Sequence, residues 1–498
     1  VKKLGRKALA VAVAVALGAG VTSVVTAPAT ASVDGGEAHG GEATFLVLTP
    51  QGATVDRALA RVAAADGTVI ADYRQIGVLV VRSANRDFVA DTAGAGVESV
   101  ASTAGLGTVL DEGHTVELTT GELAAVGGDP STEPLFAQQW NMPMIDLPRA
   151  HTVTAGSADV VVGVLDSGIS SSHPDLAGQL ARDKSASCLG GVADTTEAAW
   201  NPTTSDHGTH VAGTIAAARN GVGVTGVAPG VKVAAVKVVD NEGYIYPEAA
   251  VCGFMWAAEQ GMQLTNNSYY LDPWELNCRN DARQRPVWQA VQRAIRYSQS
   301  KGVLTVASAG NANHDLAHRF VDSGSPNNGT PEVREVNGAC LVLPAQAPGV
   351  VTVAAVGPTG QKSYYSSYGQ GVVDVTAPGG DSRIRTQGLT PTTADAILST
   401  TFNTVTRIDG WGWKQGTSMS GPHVTGVAAL ALSARPGMTP GQLAALLERT
   451  AVPQPCPAGG YDPIPLLPSA TDYTATCQGG TRNGFHGAGL VNAYRAVK

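Results

Sequence analysis

From Asp159 onward the chain alternates short, unbroken apolar runs with helix-length segments, and this alternation limits the available folds more than any other feature. The runs fall at residues 160–165, 231–239, 303–307, 350–356 and 372–375. A strand that is apolar at every position has no polar face to offer water, so both of its faces must be covered. Helix-length segments at 208–219, 247–260, 286–300, 418–434 and 440–450 supply the cover. The pattern predicts an α/β fold, a doubly wound and mostly parallel sheet. At 498 residues the chain exceeds what one such sheet requires, so a second folded unit is expected.

That unit precedes the sheet. Residues 44–49, 68–73 and 77–82 read as strands and 54–64 as a helix with apolar positions at helical spacing; a second short helix and strand end near Val100. The order β-α-β-β-α-β is that of small α+β, ferredoxin-like folds, here assigned to 42–102. Residues 103–133, rich in Gly, Thr and Glu, read as an exposed linker, and 134–498 as the main domain. At the start, Lys2, Lys3, Arg6 and Lys7 precede an uncharged run to Val25 and then Ala29-Thr30-Ala31. This is the layout of a signal peptide, 1–31. The run is also long enough to anchor in a bilayer, but the Ala-x-Ala site and the polar stretch after it favour removal. Secretion to the extracellular space is the expectation, without stable membrane insertion.

The six cysteines, 188, 252, 278, 340, 456 and 477, fit an exported protein with three bridges, and none stands in a CxxC or other zinc-type spacing. Only the pair Cys456–Cys477 is supported by locality. The net charge of −8 becomes more negative once the basic N-terminal stretch is set aside, which argues against a nucleic-acid partner.

Four segments carry chemistry. Asp166 follows the first apolar run directly, where open α/β sheets place their sites. In Asp206-His-Gly-Thr-His210, His207 stands at a helix mouth, accessible to act as a base; paired with His210 it could instead chelate a metal, but the HExxH spacing is absent. In Gln415-Gly-Thr-Ser-Met-Ser-Gly-Pro-His423, Ser418 lies between a Gly turn and an apolar helix, with its N–H outside the helical ladder. Asn311 ends another buried strand, as a neutral donor suited to a developing oxyanion. Taken singly, three of the four have an ordinary reading: turn aspartate for Asp166, N-cap serine for Ser418 and turn asparagine for Asn311.

Taken together, in the order Asp166, His207, Asn311, Ser418, these segments resemble the subtilisin-like serine proteases, the subtilase family, over about 360 residues from Pro134. The resemblance implies that Ser418 is the nucleophile, His207 the general base, Asp166 its orienting partner, and Asn311 with the Ser418 N–H the oxyanion hole. It implies that Ser268, Tyr269 and Tyr270 pair with extended substrate backbone, and that Ser308, Ala309 and Gly310 wall the pocket for the residue before the cut. Tyr270 stands where relatives usually have glycine, so its side chain can redirect that pocket. The 42–102 unit would be an inhibitory propeptide, acting intramolecularly on a monomer whose substrates are polypeptides. No cofactor is expected for catalysis. A structural calcium is implied at Asp175, the Asn220 side chain and the carbonyls of Ala218, Val222 and Val224. A catalytically silent binding protein and a serine esterase remain as alternatives; no triad member is missing, and the strand for backbone pairing and the propeptide-like unit favour the endopeptidase.

Overall fold

A computed structural model describes residues 41–110, 114–118, 133–271, 273–383, 395–463 and 473–498. The stretch read as a signal peptide lies outside the described residues, as do 111–113 and 119–132 of the expected linker.

The N-terminal unit consists of β1 (Ala43–Leu48), α1 (Asp56–Ala64), β2 (Thr68–Tyr73), β3 (Val78–Ser83), α2 (Phe88–Thr92) and β4 (Ser99–Ser102). Its strands form one antiparallel sheet in the order β2-β3-β1-β4. Alternation along β1 explains where the sheet sits. Phe45 and Val47 face the unit's own helices, packing with Ala58, Val62 and Phe88. Leu46 and Leu48 point the other way, into a cluster shared with residues 247–259 and 284–300 of the main domain. Both faces of a small sheet are thereby buried.

Beyond β4 the chain does not run free. Thr103, Thr108 and Leu110, expected in an exposed linker, are buried. Here β5 (Thr108–Val109) lies against the main domain, and β6 (His114–Leu118) adds a strand to a hairpin there. The exposure expected of these residues is not met, because polar, Gly-rich composition reports turn propensity and not whether another surface receives the backbone.

The main sheet takes its strands in order from β7 (Val161–Asp166), β8 (Ala186–Ser187), β9 (Lys232–Lys237), β11 (Leu264–Asn267), β13 (Leu304–Ser308), β15 (Val351–Val356) and β16 (Val375–Pro378). Between them stand β10 (Tyr244–Ile245), β12 (Asn277–Cys278) and β14 (Cys340–Leu341), which form small ladders outside it. The seven-stranded sheet is parallel, in the order β16-β15-β13-β11-β7-β9-β8. Helices α3 (His207–Ala216), α4 (Pro247–Glu259), α5 (Gln284–Ser300), α6 (Thr417–Ala434) and α7 (Pro440–Thr450) surround it. Val162 and Val164 pack toward Val211, Ile215, Val424 and Val427. The intervening Val161 and Leu165 pack toward Val251 and Val291. Alternate residues of one strand thus feed opposite helical layers, the doubly wound arrangement that unbroken apolar runs require. The hairpin that receives β6 is formed by β17 (Ile397–Asn403) and β18 (Ile408–Gln415), in the order β17-β18-β6.

Cys456 pairs with Cys477, as locality implied, and Cys188–Cys252 and Cys278–Cys340 complete three bridges.

Candidate active site

Asp166 ends β7 and His207 begins α3. The His207 Nδ1 lies 2.9 and 3.0 Å from the two carboxylate oxygens of Asp166, and both side chains are fully buried. The Ser167 N–H also donates to Asp166 Oδ1, at 2.7 Å. A carboxylate facing Nδ1 requires a proton there, which fixes the tautomer and leaves Nε2 as the basic nitrogen. His210, one turn on, bonds instead to the Ile397 carbonyl at 3.0 Å, and burial holds it well below the usual histidine range. It is a packed neutral side chain.

Ser418 is the second residue of α6, so its N–H has no ladder partner assigned by helix geometry. Its hydroxyl donates to Ser268 O at 3.2 Å, and the Ser268 hydroxyl donates to Ser418 O at 3.0 Å. This reciprocal pair ties the helix start to the segment after β11. Asn311 follows β13, and its Oδ1 accepts from both the N–H and the hydroxyl of Thr417, each at 2.8 Å. With the oxygen end so committed, the amide's NH2 end faces away from Thr417. Gly416, at φ +153°, brings the turn close to Asn311: a Cβ there would stand 3.5 Å from the Asn311 Nδ2.

One pocket gathers Ser418, Thr417 and Asn311 with Ser268, Tyr269, Tyr270, Ser308, Gly310, Val342 and Glu275. Of the sequence-derived wall residues, Ser308 and Gly310 line it. Ala309 is fully buried just past the end of β13, an interior strand, its N–H bonded to Val353 O of β15 at 3.0 Å. Glu275 and Val342 were not foreseen, since both come from loops with no recognisable motif. The same pocket is lined by Thr108, Val109 and Leu110 from the N-terminal side of the chain. That segment is extended, pairs antiparallel with β10, and donates from Leu110 N to Gly243 O at 3.0 Å. The Asn327 amide accepts from Val109 N at 3.2 Å and donates to Val109 O at 2.9 Å, and Asn328 donates to Gly105 O and Gly107 O.

The candidate cation site is a separate cluster. Asp175 is fully buried, its Oδ2 accepting from Trp411 Nε1 at 2.7 Å and Val224 N at 3.2 Å. Its Oδ1 has no hydrogen-bond partner among the described residues, and neither has Oε2 of buried Glu133, whose other oxygen accepts from Gly221 N. Burial raises the Asp175 carboxyl to about 7, with the Glu133 charge adding to the rise. Two buried carboxylate oxygens beside one loop fit a hard cation. Asn220 contributes less than its sequence implied, because its Oδ1 accepts from Val222 N and its Nδ2 donates to Pro174 O. Glu133, at the linker boundary, was not recognised in the sequence.

The sequence profile of the Subtilase family matches residues 157–489, well over half of the chain. Subtilisin DY of Bacillus licheniformis is 30% identical over 313 residues, covering 63% of this chain and 90% of that protein. Fervidolysin of Fervidobacterium pennivorans is 30% identical over 336 residues, of which this chain spans 41% of the relative's length. Among solved structures, a protease from Pseudoalteromonas arctica superposes with a TM-score of 0.54 at 28% identity, covering 74% of this chain and 98% of the other. The chain belongs to the subtilase family, the subtilisin-like serine endopeptidases.

Proposed function

We propose that this chain is the precursor of a secreted serine endopeptidase that cuts its own N-terminal unit away. The observation that carries this reading is the segment Thr108–Leu110, which lies extended in the pocket of Ser418 and Asn311 and pairs its backbone with Tyr244–Ile245. An extended peptide held by main-chain bonds is how a peptidase holds substrate, and an esterase does not need it; the presence of Asp166, His207 and Ser418 is what argues against a silent binding module.

In the reaction, the Ser418 hydroxyl gives its proton to His207 Nε2 as its oxygen attacks the peptide carbonyl. Asp166 holds the imidazole in the productive tautomer and stabilises the imidazolium that forms. The Asn311 NH2 and the Ser418 N–H stabilise the oxyanion, and His207 then protonates the leaving amine. Water repeats the sequence on the acyl-enzyme. Before processing, residues 41–110 act as an intramolecular inhibitor: Arg293 of α5 donates to Thr49 O at 2.8 Å and pairs with Glu98 at 2.7 Å, holding the unit on the helices while its tail fills the pocket. Calcium, if bound by Asp175 with Glu133 and loop carbonyls of 218–224, has a structural role that neutralises buried charge; no catalytic step uses it.

Expression of Ser418→Ala in a host free of other extracellular proteases tests the proposal. The variant should keep the N-terminal unit, whereas the wild type should begin between Thr103 and Pro134. The mutation removes one hydroxyl, so folding is preserved. An identical shortened N-terminus in both proteins would show that Ser418 is not the nucleophile responsible.

A further inference from the structure

Thr108–Leu110 reaches the pocket between two walls, and only one of them is a strand. On one side β10 pairs Tyr244 with Val109 and Ile245 with Thr108, and Gly243 O accepts from Leu110 N at 3.0 Å. Successive residues of an extended chain aim their N–H and C=O to opposite sides, so Val109 turns its own pair away from β10. There Asn327 meets both atoms: its Oδ1 accepts from Val109 N at 3.2 Å and its Nδ2 donates to Val109 O at 2.9 Å. A carboxamide carries an acceptor and a donor side by side, and so takes the place a neighbouring strand would have. Asn328 extends this wall upstream, its Nδ2 donating to Gly105 O and Gly107 O, each at 2.9 Å.

Both asparagines are held by the main domain and not by the segment they bind. Asn327 N donates to Pro273 O at 2.8 Å, in the loop after β11. Ser325, two residues earlier, accepts from Glu275 N through its hydroxyl at 3.0 Å and from Glu332 N through its carbonyl at 2.7 Å. The stretch is framed by the ladder of Val321–Asp322 with Arg334–Glu335, which the Asp322–Arg334 ion pair at 3.2 Å reinforces. None of these bonds involves residues 41–110, so none is lost when the N-terminal unit departs. The bonds that Asn327 and Asn328 make to the segment all go to its main chain, whose donors and acceptors every residue but proline offers in full.

We propose that Asn327 and Asn328 are substrate-positioning residues of the processed enzyme, which with β10 grip an extended polypeptide by its main chain upstream of the cut bond. The inference rests on the endopeptidase reading and names what that site recognises: a locally unfolded chain, with wide tolerance of side chains and a required N–H at the residue in Val109's place. A proline there leaves Asn327 Oδ1 without its donor and sets a ring carbon against it. The uncharged segment Gly105-Leu-Gly-Thr-Val-Leu110, which the enzyme itself presents to the pocket, meets this requirement.

The test uses the processed enzyme and a synthetic peptide of residues 103–134, unmodified or N-methylated at Val109 or at Leu110. The wild type should cut the Val109-methylated peptide with kcat/KM lower by about tenfold or more than the unmodified one, and Asn327→Ala should shrink that penalty to less than about threefold. The Leu110 penalty, which reports the bond to Gly243 O, should be the same in both enzymes; a variant that had merely lost structure would not cancel one penalty and keep the other. Asn328→Ala should lower the ratio of kcat/KM between peptides 103–134 and 108–134 by about threefold or more, and an unchanged ratio would strike Asn328 from the wall. Should Asn327→Ala fail to fold, Asn327→Ser, polar but too short to span both Val109 atoms, takes its place with the same expectation. A Val109 penalty below about threefold in the wild type, or one of equal size in wild type and variant, would overturn the proposal and leave Asn327 a contact of the precursor alone, with the endopeptidase reading intact. Absence of cleavage on every peptide, with no labelling of Ser418 by a fluorophosphonate, would overturn that reading and this inference with it.

Discussion

A Cβ on Gly208 would lie 2.4 Å from Gly168 O and 3.0 Å from the Asp166 Cβ, so the bare backbone next to His207 is what lets the start of α3 approach the end of β7. Such a requirement is invisible until two distant segments meet, although the glycine itself sits in a readable motif. Asn311 illustrates the same point. Its side chain could have been a turn former, and the paired donation from Thr417 decides its orientation. Replacing Asn311 with alanine should lower kcat by about 100- to 1,000-fold, the loss typical of removing one oxyanion donor in this family, with KM changed by less than about threefold. Steady-state kinetics on a single peptide checks this, and kcat within about threefold of wild type would remove Asn311 from the mechanism.

At the scale of elements, the apolar runs located β7, β9, β13 and β15 and the helix-length segments located α3 to α7, while β8, β11 and the β17–β18 hairpin carry no such run. The fifth run, 372–375, marks the exception, because its strand occupies Val375–Pro378. Val372 N and Val373 N bond to Gly369 O in a turn, and pairing with β15 begins only at Val375. Apolarity marks what must be buried and not where the ladder starts. A further consequence concerns α4, whose first turn carries Glu248 beneath the N-terminal unit. Its Cβ lies 3.1 Å from where a Cβ on Gly191 would be, Thr103 bonds to its carboxyl and Arg82 is the cation nearby. Burial nevertheless raises this carboxyl to about 7 from an ordinary 4.5. The folded precursor therefore holds the proton more tightly than the unfolded chain. Its stabilising contribution is complete below the ordinary value and is lost as pH rises through about 7. Denaturant titrations of the uncleaved Ser418→Ala precursor should show stability falling between pH 5 and pH 8 by on the order of 1–3 kcal/mol from this group, and Glu248→Gln should flatten that slope. An unchanged slope would assign the pH dependence elsewhere.

Across the whole molecule, folding brings Asp175, the 218–224 loop and Glu133 together from three parts of the chain, with Trp411 of the hairpin closing the cluster. A cation bound there only in the folded state would stabilise every one of these joints by mass action. Chelator should then lower the Tm of the mature enzyme by several degrees, on the order of 5 °C, and Asp175→Asn should abolish the difference. Coincident melting curves of the wild type with and without chelator would count against calcium at this site.

The sequence by itself determined the class of fold and singled out the residues of the candidate triad. Strands apolar on both faces must be covered on both, and Asp166, His207 and Ser418 each sit in a local motif whose residues are contiguous. What the tertiary structure decided is everything that depends on surfaces meeting. The course of residues 103–110 was set by the Asn327 and Asn328 amides and the β10 edge, which satisfy its backbone bonds at a distance of more than a hundred residues. Glu275 reached the pocket lining on a loop near the Cys278–Cys340 bridge, and Glu133 reached Asp175 through the 218–224 loop, accepting a hydrogen bond from its Gly221 N–H. Side chains delivered by long-range closure leave no period or motif in the sequence, because their positions are fixed by contacts and not by their neighbours along the chain.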